Sequence, residues 1–252
     1  SKPGEPAWPS PYGEGRPGWH IECSAMVRKY LGTTIDIHLG GQDLIFPHHE
    51  NEVAQSEACN GHPLARFWIH NGHVNVDNKK MSKSLNNFFL VRDVAKKYDY
   101  VVIRFFLLSA HYRGPINYSA DMMEQAKNAW ARITGCYEHL LFLEKGQLPA
   151  ALPGDAEQIE ALSAFRKQFI AAMDDDLNTA DGISAIFDLV RHINTATASD
   201  KAVSSAFLSA AKGMLEELCG VLGLSLRKAV EASQELEPEI QALIDERQAA
   251  RK

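Results

Sequence analysis

No run of about eighteen apolar residues occurs anywhere in the sequence, so no segment reads as a membrane-spanning helix. Cysteine is sparse: Cys23, Cys59, Cys136 and Cys219 are scattered, with no CxxC pair among them. An even count in so long a chain is not a disulfide framework. The expectation is reduced, cytosolic thiols, with three of the four packed in a core. No apolar stretch follows Ser1-Lys2-Pro3-Gly4, so the expectation is that this segment is no secretory leader, and without an initiator Met Ser1 is not expected to be a natural start. Net positive charge is lacking too. A formal charge of −6 argues against broad, sequence-independent nucleic-acid binding, which neutralises many phosphates, though not against a local basic face.

What is present is ordinary for a folded chain: 45% hydrophobic and 23% charged residues in 252, room for one large domain or two modest ones. The charge is lopsided. Lys79, Lys80, Lys83, Arg92, Lys96, Lys97, Arg104 and Arg113 face only Asp93 and Asp99 over the same stretch, while much of the acidic excess lies in the C-terminal half.

The first half mixes strand and helix signals, and an α/β sheet is expected. The Pro/Gly-rich stretch from Trp8 to Gly18 predicts irregular backbone. A helix follows over Trp19–Tyr30, stopped by Gly32. Ile35–Leu39 alternates as a strand ending at Gly40-Gly41. Pro47 suits the first position of a helix reaching about Cys59, and Phe67–Ile69 and Val74–Val76 predict further strands.

From Tyr118 the period changes to three and four. Met122, Ala126, Trp130, Ile133, Tyr137 and Leu140 form one helical face, with Ser119 as its N-cap. Ile159, Leu162, Phe165, Phe169 and Met173 form another, and Ile183, Ile186, Val190 and Ile193 a third, after a Thr179 cap. Val203, Phe207, Met214, Leu218 and Val221 complete the set. Residues 118–252 therefore predict an all-α antiparallel bundle without chemistry of its own. Residues 1–117 carry the candidate site.

Two constellations stand out. Lys80-Met81-Ser82-Lys83-Ser84 follows a short strand and an Asp77-Asn78 turn. Two lysines three apart, with two hydroxyls, read either as a solvated turn or as a cradle for a triphosphate, where preplaced charge meets the leaving pyrophosphate. Pro47-His48-His49-Glu50-Asn51-Glu52 opens a helix, so His48 and Glu52 share a face. They are either a surface pair or two zinc ligands, to which Cys23 adds a thiolate.

Lys80–Ser84 spells the KMSKS motif of class I aminoacyl-tRNA synthetases. The runs Gly15–Met26 (GRPGWHIECSAM) and Asp43–Glu52 (DLIFPHHENE) resemble the cysteinyl-tRNA synthetase family, as do Arg104–Arg113 and Met173–Ala180. The resemblance implies an incomplete class I Rossmann-like nucleotide-binding fold followed by the helical bundle. It implies an enzyme that activates cysteine with ATP and magnesium and ligates it to tRNA(Cys), as a cytoplasmic monomer. In it, Cys23, His48 and Glu52 hold zinc and Trp19 walls the cysteine pocket beside Cys23. Lys80 and Lys83 act on the phosphates, and His38, Gly40, Gly41 and Asp43 contact the adenylate at a strand end. The basic stretch Arg92–Arg113 guides the acceptor stem.

Zinc ligates a thiolate far better than a hydroxyl. Rejecting serine by 10⁴ requires about 5.5 kcal/mol, and an apolar pocket supplies only about 1–3. Two departures from the family pattern are Asn86, where glycine is usual, and Leu39, which narrows the floor beside His38. The family's first zinc cysteine has no counterpart here, and the chain alone is expected to be inactive. His70-Asn71-Gly72-His73 fits H-x-G-H superficially but falls between two strands, and is read as a hairpin turn. Other readings are a mycothiol-pathway cysteine ligase and a non-catalytic, synthetase-derived zinc or tRNA-binding module.

Overall fold

The computed structural model describes residues 4–81 and 87–226, apart from the side chain of Lys80, and isolated positions 243, 246, 247 and 249. The chain opens on two short strands, β1 (Trp8–Ser10) and β2 (Gly13–Gly15), paired antiparallel. Irregular backbone was the expectation there. Ser10 accounts for the difference, since its hydroxyl donates to Gly13 O at 2.6 Å and accepts from Tyr12 N, fixing the turn between the strands.

Helix α1 (Trp19–Tyr30) has the expected bounds, and Gly32 takes a positive φ of 105° just after it. Strand β3 (Ile35–Gly41) leads through turns at 42–49 into α2 (Glu50–Asn60), and β4 (Ala65–Asn71) returns parallel to β3. The regular α-helix starts three residues after Pro47. Phe46 keeps an extended backbone (φ −132°, ψ 134°) within the preceding turn, so the helical path starts up only beyond it. On one face of the β3–β4 pair sit His38, Gly40, Trp68 and His70, in contact with the residues that open α2. Leu39 lies on the other face, 61% exposed, so it does not narrow the floor beside His38.

A third sheet is separate. Strand β5 (Val74–Val76) pairs antiparallel with β6 (Lys79–Lys80) and parallel with β7 (Ile116–Tyr118), giving the order β6-β5-β7. Asp77 and Asn78 both have positive φ, the backbone of a two-residue primed hairpin turn. Strands β4 and β5 belong to different sheets, so His70–His73 is a crossing between sheets and not the expected hairpin. Gly72 is required there: a Cβ would collide with the backbone oxygen of Gly114.

Between the sheets and the bundle come α3 (Val91–Val94) and α4 (Tyr100–Leu108), then α5 (Ala120–Leu143), α6 (Asp155–Asp174), α7 (Thr179–Ala196) and α8 (Ser205–Val221). Helix α4 shares one hydrophobic core with α5–α8, including Phe105, Phe106, Ile133, Leu140, Ile186, Leu189, Leu208 and Leu215. Ser119 caps α5 as expected, accepting from Met122 N at 3.2 Å. Met123 is the buried methionine there and Met122 is exposed. Asn178, one residue before Thr179, caps α7, because its side-chain oxygen reaches Asp181 N; the Thr179 hydroxyl instead donates to Leu108 O. Val221 is exposed beyond the buried stripe of α8. Cys136 and Cys219 are buried, whereas Cys23 is half-buried and Cys59 exposed, so two thiols are packed in the core and not three. No helix among the described residues is long and apolar enough to cross a membrane.

Candidate metal centre

Glu52 is the centre of the site. It sits in the first turn of α2 and is fully buried, an expensive place for a carboxylate without compensation. Its Oε2 lies 2.8 Å from His38 Nε2, reaching across to β3. Among the described residues its Oε1 has no hydrogen-bond partner, and it is 3.7 Å from His48 Nε2. The ligand atoms of Cys23, His48 and Glu52 all lie within 4.8 Å of one another, so α1 and the start of α2 bring together the three groups predicted to share a metal. A second triad, His38, His49 and Glu52, meets the same limit on the other side of the carboxylate.

The surroundings order these groups. Trp19 stacks on His48, ring centroids 4.1 Å apart and planes at 26°. His48 Nδ1 shares a 2.8 Å hydrogen bond with His20 Nδ1, leaving Nε2 on the Glu52 side. His49 Nδ1 bonds His70 Nε2 at 2.8 Å, and Trp68 lies against His38 and His49. Gly40 has a local reason to be glycine, since a Cβ would come within 2.6 Å of the His49 ring. Asp43 is exposed in the turn Gln42–Leu44, beside Gly41.

The electrostatics suit a cation. Burial, and then the Glu52 carboxylate, push the Cys23 thiol above its ordinary value. Burial, with His38 second, holds His49 below the usual histidine range. A positive ion between Cys23, His48 and Glu52 would favour the thiolate and supply the missing partner of Glu52 Oε1. Sulfur, imidazole and carboxylate together form a donor set that zinc takes. The residues present therefore fit a metal.

Sequence reasoning missed His20, His49, His70 and Trp68. His20 precedes Cys23 by three on one helical face, a signal that was legible. His70 was not, because its position depends on the register of β4 against β3. Lys80 closes β6, pairing through its backbone with Asn75; Lys83 and Asn86 lie outside the described residues. Several cations of the basic stretch are engaged within the chain. Arg104 donates to Leu222 O at 2.7 Å, Lys96 pairs with Asp93, and Lys97 lies 3.9 Å from Glu124. Arg113 makes two hydrogen bonds to Asp176, whose carboxylate also accepts from Tyr112 Oη at 2.7 Å.

The parallel β3–α2–β4 unit, with its site at the strand ends and a helical bundle following, is the architecture of class I tRNA synthetases. A methionyl-tRNA synthetase from Mycobacterium tuberculosis, in complex with methionyl-adenylate, superposes with a TM-score of 0.56 over 75% of this chain and 40% of its own, at 18% identity, which speaks for the fold alone. Residues 1–128 match the family described as tRNA synthetases class I (C) catalytic domain, and the chain belongs to that family. Residues 168–227 match the DALR domain. Over the whole chain it is 55% identical to a cysteine–tRNA ligase of Symbiobacterium thermophilum and 53% identical to one of Caldicellulosiruptor saccharolyticus. It spans about half the length of these relatives, 53% in each case.

Proposed function

We propose that this chain carries the amino-acid- and nucleotide-binding part of a cytoplasmic cysteine–tRNA ligase, with cysteine, ATP and tRNA(Cys) as substrates and a zinc ion held by Cys23, His48 and Glu52. The observation that carries the reading is Glu52 Oε1, buried beside His48 and Cys23 and without a hydrogen-bond partner among the described residues. When bound, zinc supplies a Lewis acid that prefers the substrate's thiolate to a hydroxyl.

The chain's own residues do the rest. His38 holds Glu52 through Oε2, so that the carboxylate turns one oxygen toward the ion. His20 fixes the ring of His48 and its nitrogen roles. Trp19, stacked on His48 yet 56% exposed, forms a wall beside Cys23 against which a small side chain packs. Gly40, Asp43 and His38 line the C-terminal end of β3, where open α/β sheets receive nucleotides. Lys80 and Lys83 bind the phosphates, and Arg92, on α3, meets the acceptor stem.

The test is zinc binding by the whole chain, measured by competition with a chromophoric chelator, with melting temperature followed in parallel. Zinc should bind at one site and raise the melting temperature, and added cysteine should raise it further where serine does not. Cys23→Ser and His48→Ala should each weaken zinc binding at least about 100-fold, since each removes a ligand outright. Wild-type zinc affinity in either variant would refute the assignment, as would equal responses to cysteine and serine.

A further inference from the structure

Residues 111–114 join two parts of the molecule that lie far apart in sequence. On one side is the end of the β3–β4 pair. Gln42, in the turn after β3, donates from Nε2 to Arg113 O at 2.8 Å, and Gly72, just beyond β4, donates from its backbone N to Tyr112 O at 2.7 Å. On the other side is the turn between α6 and α7. Arg113 donates to both carboxylate oxygens of Asp176, from Nε and Nη2, and Tyr112 Oη donates to Asp176 Oδ1 at 2.7 Å. Asp176 and Leu177 both have a φ of 56°, a left-handed pair without glycine. Leu177 is 48% exposed, so core packing does not impose this backbone. Such conformations persist where surrounding bonds hold them, and they gather at functional elements.

We propose that Asp176, acting through Arg113, is a positioning residue for the nucleotide. Its grip on the guanidinium fixes the 111–114 turn, and the Arg113 carbonyl then sets Gln42 and the Gly41–Asp43 floor at the end of β3. This rests on the reading of that strand end as the nucleotide site. The linkage has little slack. A Cβ at Gly72 would collide with the backbone of Gly114, and one at Gly41 with the Asp43 carboxylate, so turn, strand end and carboxylate are packed in sequence. A guanidinium held by two bonds to one carboxylate is fixed in direction as well as distance. A shift of the α6–α7 turn therefore moves the carbonyl on which Gln42 is hung.

ATP binding to the zinc-loaded whole chain with magnesium, measured by titration calorimetry, tests this beside hydrogen exchange of the same samples. Asp176→Asn and Gln42→Ala should each raise the Kd for ATP at least about threefold, the scale of an exposed charged pair. The double variant should be no worse than the weaker single one, because both changes cut one link. Amides of residues 41–44 should exchange faster in Asp176→Asn, while zinc affinity stays at the wild-type value. Asp188→Asn, which removes an exposed carboxylate paired with Arg191 on α7, should leave the Kd unchanged. Gln42 is exposed, so Gln42→Ala decides the matter even if Asp176→Asn does not fold. Wild-type ATP affinity in Gln42→Ala, additive effects in the double variant, or unaltered exchange at 41–44 would overturn the inference and leave the nucleotide site standing. A wild-type chain that binds zinc but no ATP would refute the nucleotide reading itself, and this inference with it.

Discussion

Glu52 is where burial, charge and function meet in one side chain. Its two oxygens differ: Oε2 is held by His38, and Oε1, without a hydrogen-bond partner among the described residues, is the one that the proposed function assigns to a cation. Glu52→Gln keeps the shape and removes the charge. Zinc affinity, read by chelator competition, should fall by at least about 100-fold, because a ligand is lost as well as its support. His20→Ala leaves every ligand in place and frees the His48 ring. A fall of about 10–100-fold in zinc affinity is expected, the usual effect of removing a ligand's hydrogen-bond partner. Cys23, His48 and Glu52 were legible from residue type, helical spacing and motif. The approach of His38 and His70 was not, since it depends on β3 and β4 lying side by side.

At the scale of elements, two joints carry the arrangement. Ser119 caps α5, and Ser119→Ala should cost about 1 kcal/mol, measured by urea denaturation. Asp176, after the C-terminal end of α6, ties that turn to Tyr112 and Arg113 ahead of β7. The Arg113 guanidinium, then Tyr112, pulls the Asp176 carboxyl down from 3.8 to about 2. With the folded value depressed, the stabilisation is fully present above the unfolded value and is lost as pH falls through the folded one. Thermal melts of the wild type should therefore lose this increment between about pH 4 and pH 2, and Asp176→Asn should show a shallower decline over the same window. The two segments joined here, Arg104–Arg113 and Met173–Ala180, each carried part of the family resemblance. Nothing in their sequences announced that they touch.

For the whole molecule, the deciding fact is one continuous core from Tyr98 to Leu224 that takes in α4 together with α5–α8. Helix α4 lies in the segment read as catalytic, yet its Phe105 and Phe106 are buried in the helical core. Ile186 is fully buried there, and Ile186→Ala should cost about 2–5 kcal/mol in urea unfolding, through lost burial and the cavity left behind. The helical stripes were readable because burial on one side of a helix imposes a period close to 3.6 on the sequence. Errors fell at their ends, at Met122, Thr179 and Val221, where caps and neighbours decide.

The sequence by itself determined the long amphipathic helices, three of the strands, the family and the candidate ligand types, because periodicity and motif are local properties of a chain. Tertiary structure decided the rest. It split the three predicted strands between two sheets, made His70–His73 a crossing, placed His38 against Glu52 and left Arg28 beside Cys59. Each of these depends on pairing register and on which buried polar atoms find partners, and both are settled only when distant segments pack.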